Sequence, residues 1–333
     1  MNGGEFANLR VALIADDLTR ECLEQECRVA NVTPFNAWAV LHLWKPDLLF
    51  VESSWKGRRE RWRYKIAAYP DHPNRSNRTL AKVVAMARDL DIPCIFWNRE
   101  DGVHFDRFID SAKLFDRVLT VDDTMVPRYR EVLGPDAKVD VMMFAASSAL
   151  HFPKPVEKEK RAAFVGSYSS HIHHDRRAWQ DMMFEASRDL GLTVYDRNSD
   201  RKPDHYRFPD LPWIEVRPAV PHRATSDIYR RFAVNLNVNT ITGSTTAFSR
   251  RLVEILACGG VTATNPTPAV EQHFGEYCEV VSDIDHAEAY LGRIARDGLT
   301  TQDIERAGVA SDYVLTHHVW TNRVAQIVDF AAI

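Results

Sequence analysis

The sequence has no Cys-x-x-Cys pair, and its five cysteines (Cys22, Cys27, Cys94, Cys258 and Cys278) are odd in number. That excludes a plain disulfide framework and fits reduced thiols. No apolar run approaches the roughly 18–20 residues that a bilayer-spanning helix requires. The opening MNGGEFANLR lacks the shape of a signal peptide. These absences set the expectation of a soluble, cytoplasmic protein. A large excess of either charge is also lacking: the formal net charge is −4, so no overall basic field recruits nucleic acid. Finally, the first strand-like run, LRVALIA, continues into DDLTRE with no GxGxxG turn, which argues against a dinucleotide-dependent dehydrogenase.

What is present is globular. The chain has 333 residues, 45% of them apolar and 26% charged, a length that suits two domains. LRVALIA is a short continuous apolar run, as a strand buried on both faces requires. The pattern recurs after helical stretches: PDLLFVESS after FNAWAVLHLW, IPCIFWN after SNRTLAKVVAMARDL, RVLTVDD after FDRFIDSAKLF, and KVDVMMF after TMVPRYREVLG. Such alternation predicts an α/β fold with a parallel sheet. HFPKPVEKEK (151–160) has two prolines, a charge run and no period, and reads as a linker. The rhythm then restarts with RAAFVGS, and the final thirty or so residues read as helical. Ligands of doubly wound sheets bind at the carboxyl ends of the strands, so those ends are where chemistry is sought.

The stretch TTAFSRRLVEILACGGVTATNP (245–266) carries the clearest candidate. The loop ITGSTTAFS leads into a helix starting near Phe248 or Ser249. A helix N-terminus offers unpaired N–H groups and about half a positive charge, a seat for phosphate. Gly243 and the hydroxyl residues allow close approach, and Arg250 or Arg251 adds a fork of donors suited to phosphate oxygens. Glu254, one turn beyond Arg250, can accept two hydrogen bonds from a ribose diol. The pattern fits a nucleoside diphosphate with its phosphates at the helix tip. It equally fits Ser249 as a simple N-cap and Arg250–Glu254 as a solvated bridge. Gly259 and Gly260 end the helix in either case.

IYRRFAVNLNVN followed by FSRRLVEILACGGVTATN resembles the C-terminal signature of CgeB-like glycosyltransferases, relatives of the family 4 GT-B enzymes. FVGSYSS…RR (164–177) is similar to the first strand and turn of their donor domain, and FWNREDGVHFDRF (96–108) to an aromatic–acidic turn of their N-terminal domain. The resemblance implies a GT-B fold: two Rossmann-like, doubly wound parallel-sheet domains facing a central cleft. The acceptor domain would span 1–150, the linker 151–160 and the nucleotide-sugar domain 161–312, with a last helix, 313–333, packing back on the first domain. It implies a nucleotide-sugar donor of UDP, GDP or dTDP type, a glycan, lipid-linked or other hydroxyl acceptor, no metal and no separate cofactor. On this analogy Gly166, Ser167 and Tyr168 contact donor phosphates or sugar, Asn237 and Asn239 lie at a strand end, and Glu254 holds the ribose. Arg176, Ser249, Arg250 and Arg251 complete the donor side around the departing diphosphate. Thr246 also lies on the donor side, where related enzymes often carry a second glutamate; without that carboxylate, retention or inversion stays open.

An acceptor hydroxyl needs a base, drawn from the first domain. Asp16 and Asp17 end the first strand, Glu52 the next, and Glu100, Asp101 and His104 follow the third. Each is alternatively a cap or an ion-pair partner; Asp17 and Glu100 are preferred, with His104 beside them. HIHHD (171–175) has metal-capable side chains but no recognisable ligand spacing, and the Asp-x-Asp pairs at 89–91 and 283–285 sit where helices end or begin. KGRRERWRYK (56–65) is strongly basic; it reads as a solvated face, or as a contact with an anionic acceptor or the inner face of a membrane. Two other functions share the architecture: a non-catalytic nucleotide-sugar-binding module and a nucleotide-sugar epimerase.

Overall fold

The structure is a computed structural model that describes residues 4–201 and 203–333. Met1–Gly3, at the head of MNGGEFANLR, and Lys202 lie outside the described residues. The chain divides into two compact units, one reaching to Met143 and taking in Trp320–Ile333, the other Phe144–Val319.

Unit 1 is built on β1 (Arg10–Ile14), β2 (Arg28–Asn31), β3 (Leu48–Glu52), β4 (Cys94–Asn98), β5 (Arg117–Thr120) and β6 (Lys138–Val141). All are parallel, in the order β2-β1-β3-β4-β5-β6. Every residue of β3 and β4 is buried, which explains why their sequences are apolar without alternation: helices cover both faces. These helices are α1 (Asp17–Glu26), a single turn α2 (Ala37–Ala39), α3 (Arg78–Arg88), α4 (Phe105–Ala112) and α5 (Val126–Leu133). The strand order reverses at β1, so the crevice for a ligand opens between the carboxyl ends of β1 and β3.

Unit 2 repeats the scheme with β7 (Glu159–Gly166), β8 (Leu192–Asp196), β9 (Ile214–Pro218), β10 (Phe232–Asn237), β11 (Thr262–Thr264) and β12 (Glu279–Val280). Its parallel order is β12-β11-β10-β7-β8-β9, and its reversal falls between β7 and β10. Helices α6 (His174–Ala186), α7 (His222–Arg231), α8 (Arg250–Ala257), α9 (Pro268–His273), α10 (Ile284–Asp297) and α11 (Thr301–His317) flank the sheet. The segment expected as a linker is irregular over 152–158 but tied down. Arg230 donates to the carbonyls of Leu150 and Phe152, and Lys158 donates back to that of Arg230.

The chain ends in α12 (Trp320–Ala331), which belongs to unit 1. Arg323 donates to the Met143 carbonyl at 2.8 Å, Gln326 to that of Val141 at 2.6 Å, and the Trp320 ring meets Trp97 edge-on at 5.8 Å. Among the described residues no helix is long and apolar enough to cross a membrane.

Candidate functional site

The reversal point of unit 2 gathers cations. β7 ends at Gly166, where a Cβ atom would lie 2.7 Å from the Phe164 ring and 2.9 Å from Nη2 of Arg251. Glycine is therefore required for Arg251 to lay its guanidinium over Phe164, 4.7 Å from the ring centroid. Arg176 enters from α6 and donates to the Ser167 carbonyl at 3.0 Å. Burial pushes the Arg251 guanidinium down to about 9 and Arg176 to about 10, with Arg197 adding like charge to both. Nη1 of Arg251 and Nε of Arg176 are buried donors without a hydrogen-bond acceptor. Neither residue forms an ion pair among the described residues, so the crevice holds positive charge with no carboxylate in contact with it.

One turn along α8 lies Glu254, which is only 2% exposed. Its Oε1 sits 2.9 Å from both Arg250 Nε and His222 Nε2, while Oε2 is 3.5 Å from the Tyr229 hydroxyl. Burial alone would raise the carboxyl; Arg250, His151 and His222 overcome it and hold Glu254 well below the usual carboxylate range. His151 is fully buried, accepts from the Ser147 N–H at Nδ1, and is pushed by burial to about 4. The Arg250–Glu254 bridge that the spacing allows is present, but its carboxylate is buried and its arginine only partly exposed, so it is not a solvated pair. His151, His222 and Glu254 bring three possible metal-donor atoms within 4.8 Å of one another. Because Arg250 already sits on Oε1, a cation bound there would have to displace the guanidinium, and His222 would change from partner of Oε1 to ligand. In HIHHD, His171 packs instead on His205 at 4.0 Å and on Tyr206.

The other donor-side residues divide. Asn239 accepts the Ser249 N–H at 2.7 Å and so occupies the first free amide before α8, while Ser249 makes no side-chain cap. Asn237 and Asn239 both donate to Thr264 across the strand ends. Ser244 Oγ accepts the N–H groups of Thr246 and Ala247, which fixes the loop ahead of α8. Tyr168 is buried against Phe184 and Phe208 and donates its hydroxyl to Asp181, so its ring belongs to the core.

The reversal point of unit 1 is acidic. Asp16, following β1, accepts from Ser54 and the Gly57 N–H, and pairs with Arg99 at 2.6 Å. Arg99 reaches Glu52 at the end of β3, also at 2.6 Å. Glu52 is fully buried and is pushed up to about 7, by burial first and by Asp16 and Glu100 besides, against the pull of Arg99. Glu100 is partly exposed, 3.8 Å from Arg99. Asp17 lies in the first turn of α1, largely exposed and bridged to Arg20. His104 stands just before α4, edge-on to Trp55 at 5.2 Å. Asp101 accepts from Asn98, Thr120 and Tyr129, and burial pushes it to about 7. Neither His151 nor His222 stands in any pattern that points to Glu254; only the fold joins them.

Two Rossmann-like units, each with six parallel strands, define the GT-B class of fold, and solved structures share it. An α-glucosyltransferase in complex with UDP and a 13-mer DNA superposes with a TM-score of 0.65 at 9% identity, over 98% of this chain and 100% of that one. A DNA-modifying β-glucosyltransferase gives 0.59 at 11% identity, with the same coverage of 98% and 100%. Sucrose-phosphate synthase from Thermosynechococcus elongatus gives 0.58 at 9%, again over 98% and 100%. No curated protein matches the chain. Residues 156–329 match the model of the glycosyl transferase-like family, and the chain belongs to that family; it is a glycosyltransferase.

Proposed function

We propose that the protein transfers a sugar from a nucleoside diphosphate sugar, of the UDP type that the α-glucosyltransferase neighbour carries, to a hydroxyl on a glycan or lipid-linked acceptor, as a CgeB-like enzyme. The observation that carries this is the pair of buried, acceptor-less guanidinium donors on Arg176 and Arg251 beside Gly166. In a low-dielectric crevice such donors gain most from an anion, and gain further as the sugar–phosphate bond breaks and negative charge moves onto the diphosphate. In this reading the ribose diol donates to Oε2 of Glu254, since Oε1 already holds Arg250 and His222. Fixed cations supply the leaving-group stabilisation, so the reaction needs no metal. On unit 1, Glu100, partly exposed beside Arg99, is the carboxylate best suited to take the proton of an acceptor hydroxyl.

The test is a thermal-shift panel of UDP, GDP, dTDP, CMP and ADP with EDTA present. One diphosphate class should raise the melting temperature; at a ligand concentration of about 100 Kd the gain is ~2.7 kcal/mol. Arg251→Met should remove the shift while the free protein still folds. A panel in which no nucleotide stabilises the protein, or a shift that needs added divalent metal, would overturn the reading.

A further inference from the structure

Unit 1 carries a surface that sugar transfer does not explain. Three large apolar side chains on one short segment after β2 stand in solvent: Phe35 at 83% exposure, Trp38 at 56% and Leu43 at 70%. The segment is not loose. Asn36 accepts from the Thr33 N–H at 2.6 Å and donates to the Asn31 carbonyl at 3.0 Å, and Trp38 stacks on His42 at 4.9 Å. After α2 the backbone widens into a π-helical turn, Val40–Trp44, ending at Lys45 with φ 53°. That turn buries Val40 and Leu41 and leaves Leu43 outside.

The basic stretch 56–65 follows β3 and is fastened to the same corner. Trp62, 1% exposed, donates its indole N–H to the Val32 carbonyl at 2.8 Å, and Arg61 reaches over the Phe35 ring at 5.7 Å. Lys56 and Arg63 share Glu60, at 3.0 and 2.9 Å. Arg59 and Arg61 are exposed and form no ion pair among the described residues. Side chains left in water at these exposures lose free energy when an apolar surface, a membrane or a protein partner, covers them. The adjoining cations stand out against a chain of net charge −4.

We infer that this composite face, Phe35, Trp38 and Leu43 rimmed by Lys45, Arg59 and Arg61, docks on an anionic lipid bilayer, its apolar side chains entering the headgroup–acyl boundary while the guanidinium groups meet lipid phosphates. A nucleic acid would satisfy the arginines but offers little that Leu43 and Phe35 could enter. The inference stands apart from the transfer reading, because lipid binding is measured without donor or acceptor, so either can fail alone.

The test is co-sedimentation of the full chain with phosphatidylcholine vesicles, with and without phosphatidylglycerol at about a quarter of the lipid. The protein should pellet with the anionic vesicles only, and roughly 0.5 M salt should release most of it. Arg59→Gln with Arg61→Gln should lower partitioning about tenfold or more. Phe35→Ser with Leu43→Ser should do the same with net charge unchanged, and all variants should keep the wild-type melting temperature, since these side chains are exposed. Equal pelleting with neutral vesicles, no pelleting with anionic ones, or partitioning untouched by either pair of substitutions overturns the inference. So does retention of a DNA or RNA duplex that depends on Arg59 and Arg61 but not on Phe35 and Leu43. A wild-type chain that self-associates without lipid, through Phe35 and Leu43, overturns it as well.

Discussion

Arg251 lies over Phe164 with a buried N–H group that no protein atom accepts. Holding a cation there costs folding free energy, so its removal should not harm the empty protein. Arg251→Met is therefore expected to keep or slightly raise the melting temperature while weakening nucleotide binding at least tenfold, the scale of losing a charge-assisted hydrogen bond of about 1.5–3 kcal/mol. A lowered melting temperature with the nucleotide shift intact would assign Arg251 to the core instead. Glu254 behaves in the opposite way. Glu254→Ala strands Arg250 and His222 beside a buried gap, and the loss should be about 3–5 kcal/mol, read as an early urea transition. That contrast also marks what the sequence revealed at this scale. Arg250 and Glu254 are four apart on one helix, so their bridge follows from helical geometry. His222, Tyr229 and His151 reach the same carboxylate from outside the helix and leave no local pattern. In unit 1 the adjacent Asp16 and Asp17 are indistinguishable as residue types, and only the backbone decides that Asp16 meets Arg99 while Asp17 faces water.

At the scale of elements, α8 shows how a start signal can name the wrong atom. Ser249 occupies the N-cap, yet its side chain caps nothing, and the amide ahead of the helix is met by Asn239 from the end of β10. Ser249→Ala should thus change stability by less than about 0.5 kcal/mol. Asn239→Ala removes the acceptor for Ser249, at a part-buried site, and the donor to Thr264, at a buried one, and should cost about 1–3 kcal/mol. Chemical denaturation of the two variants decides it; the reverse ranking would mean that the serine, not the strand end, sets the helix start. Strands were the most legible elements, because a parallel sheet covered on both faces demands short, largely apolar runs such as RVALI and LLFV, without the alternation of a half-buried strand. FNAWAVLHLW is helical, as its sequence suggests, but not as one α-helix. The residues between Pro34 and Pro46 have room for about three α-helical turns, yet only Ala37–Ala39 is α-helical, and the segment closes with a π-helical turn, Val40–Trp44, that leaves Leu43 outside. The segment 151–160 has linker composition, but Arg230 gives its early carbonyls partners that composition cannot reveal.

Across the whole molecule, the two units should answer pH in opposite directions. In unit 1, burial raises Glu52 and Asp101 to about 7, so the folded state binds protons more tightly than the unfolded one. The stability they lend is full below the unfolded carboxylate range near pH 4–4.5 and is lost as pH rises towards 7. In unit 2, burial lowers His151 to about 4, so the unfolded state binds the proton more tightly. Its contribution is full above about pH 6.5 and is lost as pH falls towards 4. Glu254, held low by Arg250 and the histidines, pulls the same way at still lower pH. Between about pH 5 and 7, acidification should therefore tighten unit 1 and loosen unit 2. Amide hydrogen exchange resolves the two: on acidification, protection should grow in β3 and β4 and shrink in α7 and α8, after correction for the intrinsic exchange rate. Glu52→Gln should flatten the first trend and His151→Gln the second. If both units moved together, or if the substitutions left the slopes unchanged, these buried groups would not be what sets the acid response, and the accessible charges of the two crevices, acidic in one unit and cationic in the other, would set it instead.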